Sequence, residues 1–216
     1  MNPGERLQNA RLLLVTDPRP DLAARAAAAV RGGVDVVQLR DKRASREELL
    51  PLAVELKETC ERADALFTVN DDAELAWLSG AHGVHLGQGD GPIASAREIL
   101  DPHAIVGRSV SSVDEALEAV REGADYLGVG TVYATPTKPE EEAAGPALLE
   151  EIARAEVLVP WFAIGGVTFE TAREVTAAGA PGFAVVRAVL DADDPGTAAR
   201  ELRSFLTDAP RDRTRA

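Results

Sequence analysis

The chain has 216 residues, 45% of them hydrophobic and 27% charged, which is enough apolar material for one sizeable core and too much for disorder. Its formal net charge of −13, from 36 acidic against 23 basic residues, disfavours nucleic acid and anionic membrane surfaces as partners. The single cysteine excludes a disulfide framework within the chain and points to a reducing, cytoplasmic setting, and no apolar stretch reaches the roughly 18 residues of a membrane span.

The opening MNPGERLQNA carries no secretory pattern. RLLLVTD (11–17) is the first β-like run, and DLAARAAAAVRGG (21–33), with an acidic start and a Gly-Gly stop, is the first helical segment. VDVVQL (34–39) is the second strand-like run. SREELLPLAVELKETCERA (45–63) opens on Ser45 and Glu48 at capping-box spacing, carries Pro51 where it would disturb the second turn, and ends near Cys60, which reads as packing filler. ALFTV (65–69), the helical DDAELAWLSG, GVHL (83–86), the helical PIASAREIL and AIVG (104–107) follow. SVDEALEAVREG (112–123) repeats the capping-box spacing with Ser112 and Glu115 and stops at Gly123. DYLGV (125–129), the helical GPALLEEIARA and PWFAI (160–164) come next. TFETAREVTAAGA (168–180) starts on Thr168 and stops at Gly179, and GFAVV (182–186) and GTAARELRSFL (196–206) complete the series before a polar tail, 208–216, whose composition predicts fraying.

Eight short Val-, Ile- and Leu-rich runs alternating with eight helical segments imply βαβ units and a parallel sheet covered on both faces. Eight such units in about 200 residues predict an α/β fold, a single (β/α)8 TIM barrel spanning residues 1–216, ahead of a doubly wound sheet. In such a barrel, chemistry gathers where the strands end.

The polar residues follow that rule. After strand 2, Gln38, Arg40 and Lys42 alternate and would point the same way from an extended backbone, two cations suited to a polyanion. Asn70 and Asp71 follow strand 3, although Asp71 could simply cap the next helix; Asp90 follows strand 4. Asp71 and Asp90 follow consecutive strands, so two carboxylates could converge as Mg²⁺ ligands. His85, inside strand 4 with no set of ligand partners, reads as a satisfied core residue rather than a zinc ligand. Ser109 lies just past strand 5, and Thr135, Pro136, Thr137 and Lys138 crowd the loop after strand 6. Gly165 and Gly166 after strand 7, with the short segment RAVL after strand 8, occupy a common phosphate position of these barrels. Together they predict a phosphate-handling enzyme with a divalent metal, and name no reaction.

The ordered set QLRDK, ND, HLGQGD, GRS, GADYLGVGTVYATPTK, AIGGV and GFAVVRAV resembles the thiamine phosphate synthase family, from about residue 11 to residue 206. That resemblance implies an enzyme that couples a hydroxymethylpyrimidine diphosphate to a thiazole phosphate, or its carboxylated form, with Mg²⁺ and release of diphosphate. It implies that Gln38, Arg40, Lys42, Asn70 and Lys138 hold the pyrimidine diphosphate. Asp71 and Asp90 would hold Mg²⁺, and Ser109 would touch the pyrimidine. Thr135, Pro136, Thr137, Gly166, Val186 and Arg187 would line the thiazole phosphate site. Arg40, Lys42 and Lys138 would act catalytically, stabilising charge on the departing diphosphate while a carbocation forms. Relatives often carry Ser in place of Arg187 and His in place of Ser111. The expected partners are small molecules, with self-association left open. Two other readings stand: a thiazole tautomerase of the same superfamily, which would need a proton-transfer residue such as a His near the strand 5 loop, and a non-catalytic phosphate-ligand sensor.

Overall fold

The eight apolar runs become eight parallel strands that pair in chain order and close on themselves: β1 Leu12–Val15, β2 Val36–Leu39, β3 Leu66–Asn70, β4 Gly83–Leu86, β5 Ile105–Val110, β6 Tyr126–Val129, β7 Trp161–Ile164 and β8 Phe183–Val185. This computed structural model describes residues 2–136 and 142–207. The helices are α1 Pro3–Asn9, α2 Leu22–Arg31, α3 Arg46–Arg62, α4 Ala73–Ser79, α5 Ile93–Ile99, α6 Val113–Arg121, α7 Pro146–Arg154, α8 Ala172–Ala177, α9 Arg187–Leu190 and α10 Pro195–Thr207. The architecture is the (β/α)8 barrel that the alternation predicts. No described helix is long and apolar enough to cross a membrane.

Strand alternation sorts the core into two layers. Residues such as Leu14, Val37, Phe67, Val84 and Val106 point outward to meet the helices, while Leu13, Val36, Leu66, Ile105, Tyr126 and Phe162 fill the barrel itself. Helix α1 was not foreseen. It is started by a capping box, with Asn2 Oδ1 accepting from Glu5 N at 2.9 Å and Glu5 accepting from Asn2 N at 3.1 Å. Its Leu7, followed by Ala10, joins the interior cluster, so the helix stoppers the barrel end away from the strand C-termini.

A repeat runs along the chain ahead of the even-numbered strands. Each time, a helix stops on a glycine of positive φ: Gly33 (107°), Gly80 (67°), Gly123 (94°) and Gly179 (97°). The next residue's N–H then bonds back five positions, from Val34 to Ala29, Ala81 to Ala76, Ala124 to Ala119 and Ala180 to Val175. The residue after that clips onto the preceding odd strand. Asp35 Oδ2 accepts from Leu12 N at 3.0 Å, His82 Nδ1 from Phe67 N at 2.9 Å, and Asp125 Oδ2 from Val106 N at 2.7 Å. The fourth position is Pro181, and there Gly182 O takes the Ala163 N–H at 2.9 Å. The barrel is thus laid down as four two-strand units.

His82 makes one of these clips sensitive to pH. Burial, reinforced by the Arg6 charge, lowers its pKa from 6.5 to about 4, and protonation would remove the Nδ1 acceptor. Its contribution to stability is complete above the unfolded pKa of 6.5 and is lost as pH falls towards the folded value of about 4. With a discount for its residual exposure, the loss should be about 1–2 kcal/mol. His82→Asn, which keeps an acceptor that does not titrate, should flatten denaturation midpoints across that pH window. An unchanged pH slope in the variant would refute the assignment.

Other local expectations need correcting. Strand β5 runs on to Val110, so Ser109 sits inside the strand and not past it. Helix α3 continues through Pro51. Ser112 caps α6 as expected, but Glu115 accepts from Ser111 N at 2.6 Å instead of closing the box. Helix α8 begins at Ala172, not Thr168, because Thr171 Oγ1 accepts from Thr168 N at 2.9 Å and folds residues 168–171 into a turn.

Candidate active site

A cavity of about 600 Å³ opens where the strands end, lined by residues near the ends of all eight strands and by the loops after β2 to β8. Of the residues singled out in the sequence, Gln38, Arg40, Lys42, Asn70, Asp71, Asp90, Ser109, Thr135, Gly166, Val186 and Arg187 all lie on its wall. Pro136 is exposed and off the wall, and Thr137 and Lys138 lie outside the described residues.

On the β2 side, Thr16 pins the exit of the strand. Its N–H donates to Gln38 O at 2.9 Å and its Oγ1 accepts from Arg40 N at 2.9 Å. That brace carries the extended geometry past Leu39, so Gln38, Arg40 and Lys42 share the cavity face as their alternation implied. Lys42 Nζ then lies 3.2 Å from Asp71 Oδ2.

The next residue along the chain explains why Asp71 is available. Asp72, not Asp71, caps α4, accepting from Leu75 N at 2.9 Å. Asp71 adopts φ +66°, with its N–H bonded to His85 O at 2.8 Å, and this left-handed residue turns its carboxylate into the cavity. Asp90 comes to meet it from the loop after β4, with Oδ2 held by Gly87 N at 2.7 Å. Burial first, then the neighbouring Asp90, push the Asp71 carboxyl above its usual range, with Lys42 opposing. Asp90 is held low, by a hydrogen bond with Asp71 above all. The two shifts are opposite in sign, as expected for neighbouring carboxylates that resist being ionised together. Hard oxygen donors of this kind fit Mg²⁺. No group of three His, Cys, Asp or Glu suited to a metal occurs among the described residues, so further ligands would come from substrate and solvent.

Across the mouth, the loops after β6 and β7 are zipped together. Val132 N donates to Ile164 O at 2.9 Å and Tyr133 N to Gly165 O at 3.0 Å. The Gly165–Gly166 pair permits this approach, since a Cβ on Gly166 would lie 2.6 Å from Tyr133 Cβ. Close packing of two loops is therefore the immediate reason for the glycines, and it leaves Gly166 on the wall. Arg187, the first residue of α9, places Nη2 3.4 Å from Thr135 Oγ1. The cavity thus has one cationic and carboxylate-bearing side, on β2 to β4, and one side of hydroxyls, glycine and Arg187, on β6 to β8.

His85 was read as a core residue and is more than that. It is buried yet lines the cavity, with Nε2 3.0 Å from Ser109 Oγ. In β4 it stands opposite Gly107, and Ser109 is two residues further along β5 on the same face, a register that sequence inspection does not supply. Ser111 also lines the cavity but is occupied, accepting from Gln88 Nε2 at 3.2 Å and donating to Glu115 at 2.9 Å.

The family model described as "Thiamine monophosphate synthase" matches residues 12–189. A thiamine-phosphate synthase of Thermobifida fusca is 47% identical over 213 residues, covering 95% of this chain and 96% of that protein. One from Synechocystis sp. is 46% identical over 203 residues, covering 94% of this chain and 59% of that protein. The chain spans just under three fifths of the relatives from Synechocystis sp., Synechococcus sp. and Nostoc sp., at 59%, 58% and 57% of their lengths. Among solved structures, a thiamine phosphate pyrophosphorylase from Pyrococcus furiosus superposes with a TM-score of 0.85 at 37% identity, covering 95% of this chain and 98% of that one. The family match begins at the first residue of β1 and ends inside α9, so it takes in every strand and every described wall residue discussed above, and the chain belongs to the thiamine monophosphate synthase family.

Proposed function

We propose that the chain joins hydroxymethylpyrimidine diphosphate to a thiazole phosphate, releasing diphosphate and forming thiamine phosphate. The observation that carries this reading is the two-sided cavity, with Arg40, Lys42, Asp71 and Asp90 gathered on one side and Thr135, Gly166 and Arg187 on the other. Such a site can seat two anions at a set separation, an orientation effect. Gln38, Asn70 and Ser109 would orient the pyrimidine from the cavity floor. Arg40 and Lys42 would stabilise the electron pair that the leaving diphosphate takes when the C–O bond breaks. Lys138, outside the described residues, is expected to assist them. The thiazole nitrogen then forms the new C–N bond to the pyrimidine carbon, and no protein nucleophile takes part. Cys60 supports that point, because it is buried in the core with its thiol pushed up to about 12 by desolvation.

Asp71 and Asp90 would hold Mg²⁺, which when bound supplies positive charge to the diphosphate oxygens. Burial and the neighbouring Asp90 make Asp71 hold a proton more tightly than an ordinary carboxyl, so a bound cation would compete with protonation there. Mg²⁺ affinity is therefore expected to fall with decreasing pH through the raised Asp71 titration, and calorimetry in buffers of different ionisation heats should show proton release. Binding heats independent of buffer would contradict the assignment.

The decisive assay mixes both substrates, Mg²⁺ and purified protein and looks for thiamine phosphate, with each component omitted in turn. Absence of product from the complete mixture would overturn the proposal. A second reading is favoured by one observation: His85, on β4 but in contact with Ser109 of β5, is a candidate for the proton transfer that a thiazole tautomerase needs. Aromatisation of the thiazole carboxylate phosphate in the absence of pyrimidine would support that reading, whereas the diphosphate-suited side of the cavity supports the first.

A further inference from the structure

Beneath the cavity, the barrel interior contains a polar layer that the proposed chemistry does not use. Thr68 and Tyr126 are fully buried, and among the described residues neither Thr68 Oγ1 nor Tyr126 Oη makes a hydrogen bond of good geometry, although the Tyr126 hydroxyl interacts with the side chains of Thr68 and Gln38. Gln38, which lines the cavity floor, pairs in register with Thr68 across β2 and β3. Tyr126 reaches both from β6, on the far side of the barrel. Burial raises the pKa of its phenol, and the side chains of Thr68 and Gln38 oppose that rise, so both stand close to the hydroxyl. A buried hydroxyl held only by poorly aligned hydrogen bonds gains little stability over phenylalanine, so packing alone does not explain a tyrosine here.

The ring of Tyr126 has a second task. Its centroid lies 5.3 Å from that of His85, and Phe162 meets it edge-on at 6.0 Å. The slot for these rings is made by a missing side chain: a Cβ on Gly107 would lie 2.2 Å from Tyr126 Cζ and 2.5 Å from His85 Nδ1. Gly128, the next interior position on β6, leaves a built Cβ 3.3 Å from His85 Cε1. Seated there, the imidazole presents Nε2 to Ser109.

We propose that Tyr126 is a positioning residue: its ring sets His85 against Ser109, and its hydroxyl offers a donor on which the Gln38 carboxamide settles when substrate binds, so that one phenol holds two cavity-floor side chains from below. The inference rests on the proposed synthase activity, and it predicts different effects for ring and hydroxyl. Tyr126→Phe keeps the ring and should melt no lower than wild type, while raising KM for the pyrimidine diphosphate roughly tenfold with little change in kcat. Adding Thr68→Val to it should have no further effect on KM, since both changes empty the same polar layer. Tyr126→Leu should lower kcat as well and shift the His85 ring nitrogens in ¹⁵N NMR, where a chain with only three histidines gives an assignable spectrum; Tyr126→Phe should leave those nitrogens unmoved. Unchanged kcat/KM in Tyr126→Phe overturns the hydroxyl's role, and so does a loss that merely tracks a lower melting temperature. A His85 signal indifferent to Tyr126→Leu overturns the ring's role. Wild-type protein that makes no thiamine phosphate would instead sink the activity, leaving the NMR comparison intact as a test of the ring.

Discussion

Replacing Asp71 with Asn is expected to lower kcat by about 10²–10³-fold while the protein remains folded. Three features single this residue out. Its neighbour Asp72 takes the helix cap, so Asp71 has no structural duty to α4. Its left-handed backbone, a conformation that Asn also tolerates, turns the side chain into the cavity. There it meets Asp90 and Lys42, the last at 3.2 Å. Asn preserves shape and backbone and removes only the charge that a cation needs. Steady-state kinetics at saturating Mg²⁺ and both substrates would measure the loss. The adjacent Asp72→Ala provides the contrast: it should cost about 1 kcal/mol of stability through the lost cap and leave kcat close to wild type. If Asp71→Asn turns over normally, or if Asp72→Ala is the variant that fails, the metal assignment is wrong.

The second large effect concerns stability. Asp35→Ala should destabilise the barrel by roughly 3 kcal/mol, lowering the melting temperature by about 6–12 °C. One oxygen, Asp35 Oδ2, accepts from Arg11 N at 2.8 Å, Leu12 N at 3.0 Å and Arg203 Nη1 at 2.6 Å. It therefore ties the entry of β1, the entry of β2 and the final helix α10 at the closed end of the barrel. Truncation leaves two backbone donors unmatched, each worth about 1 kcal/mol or more, and ends an ion pair whose partial exposure limits it to about 1 kcal/mol. Asp35→Asn keeps the acceptor and should lose only the last part. Denaturation midpoints of the two variants would separate these contributions, and an alanine variant as stable as wild type would show that the clip is idle.

Much of the molecule could be read before any coordinates. Short, continuous Val-, Ile- and Leu-rich runs between helical segments located all eight strands, and the alternation of Gln38, Arg40 and Lys42 put them on one face. Other features are also written in the sequence. Asn2 and Glu5 spell the capping box of α1, and the spacing of Gly33 and Asp35 recurs at Gly80 and His82 and at Gly123 and Asp125. Competition between adjacent residues was not legible: nothing local says that Asp72 caps and Asp71 does not, or that Glu115 serves Ser111 and not Ser112.

By itself, then, the order of residues determined the periodicities, the stops between elements and the kinds of group standing at each strand end. Those are short-range matters, settled by dihedral preferences and by which side of a strand a side chain leaves. Only closure of the sheet decided which of those groups meet. Lys42 touches Asp71, His85 touches Ser109, and Arg187 reaches Thr135 across 52 positions of chain, because register and the girth of eight paired strands set those distances. Chain separation carries no record of that girth, so the pairing of charge, ring and hydroxyl around the cavity is a property of the tertiary structure alone.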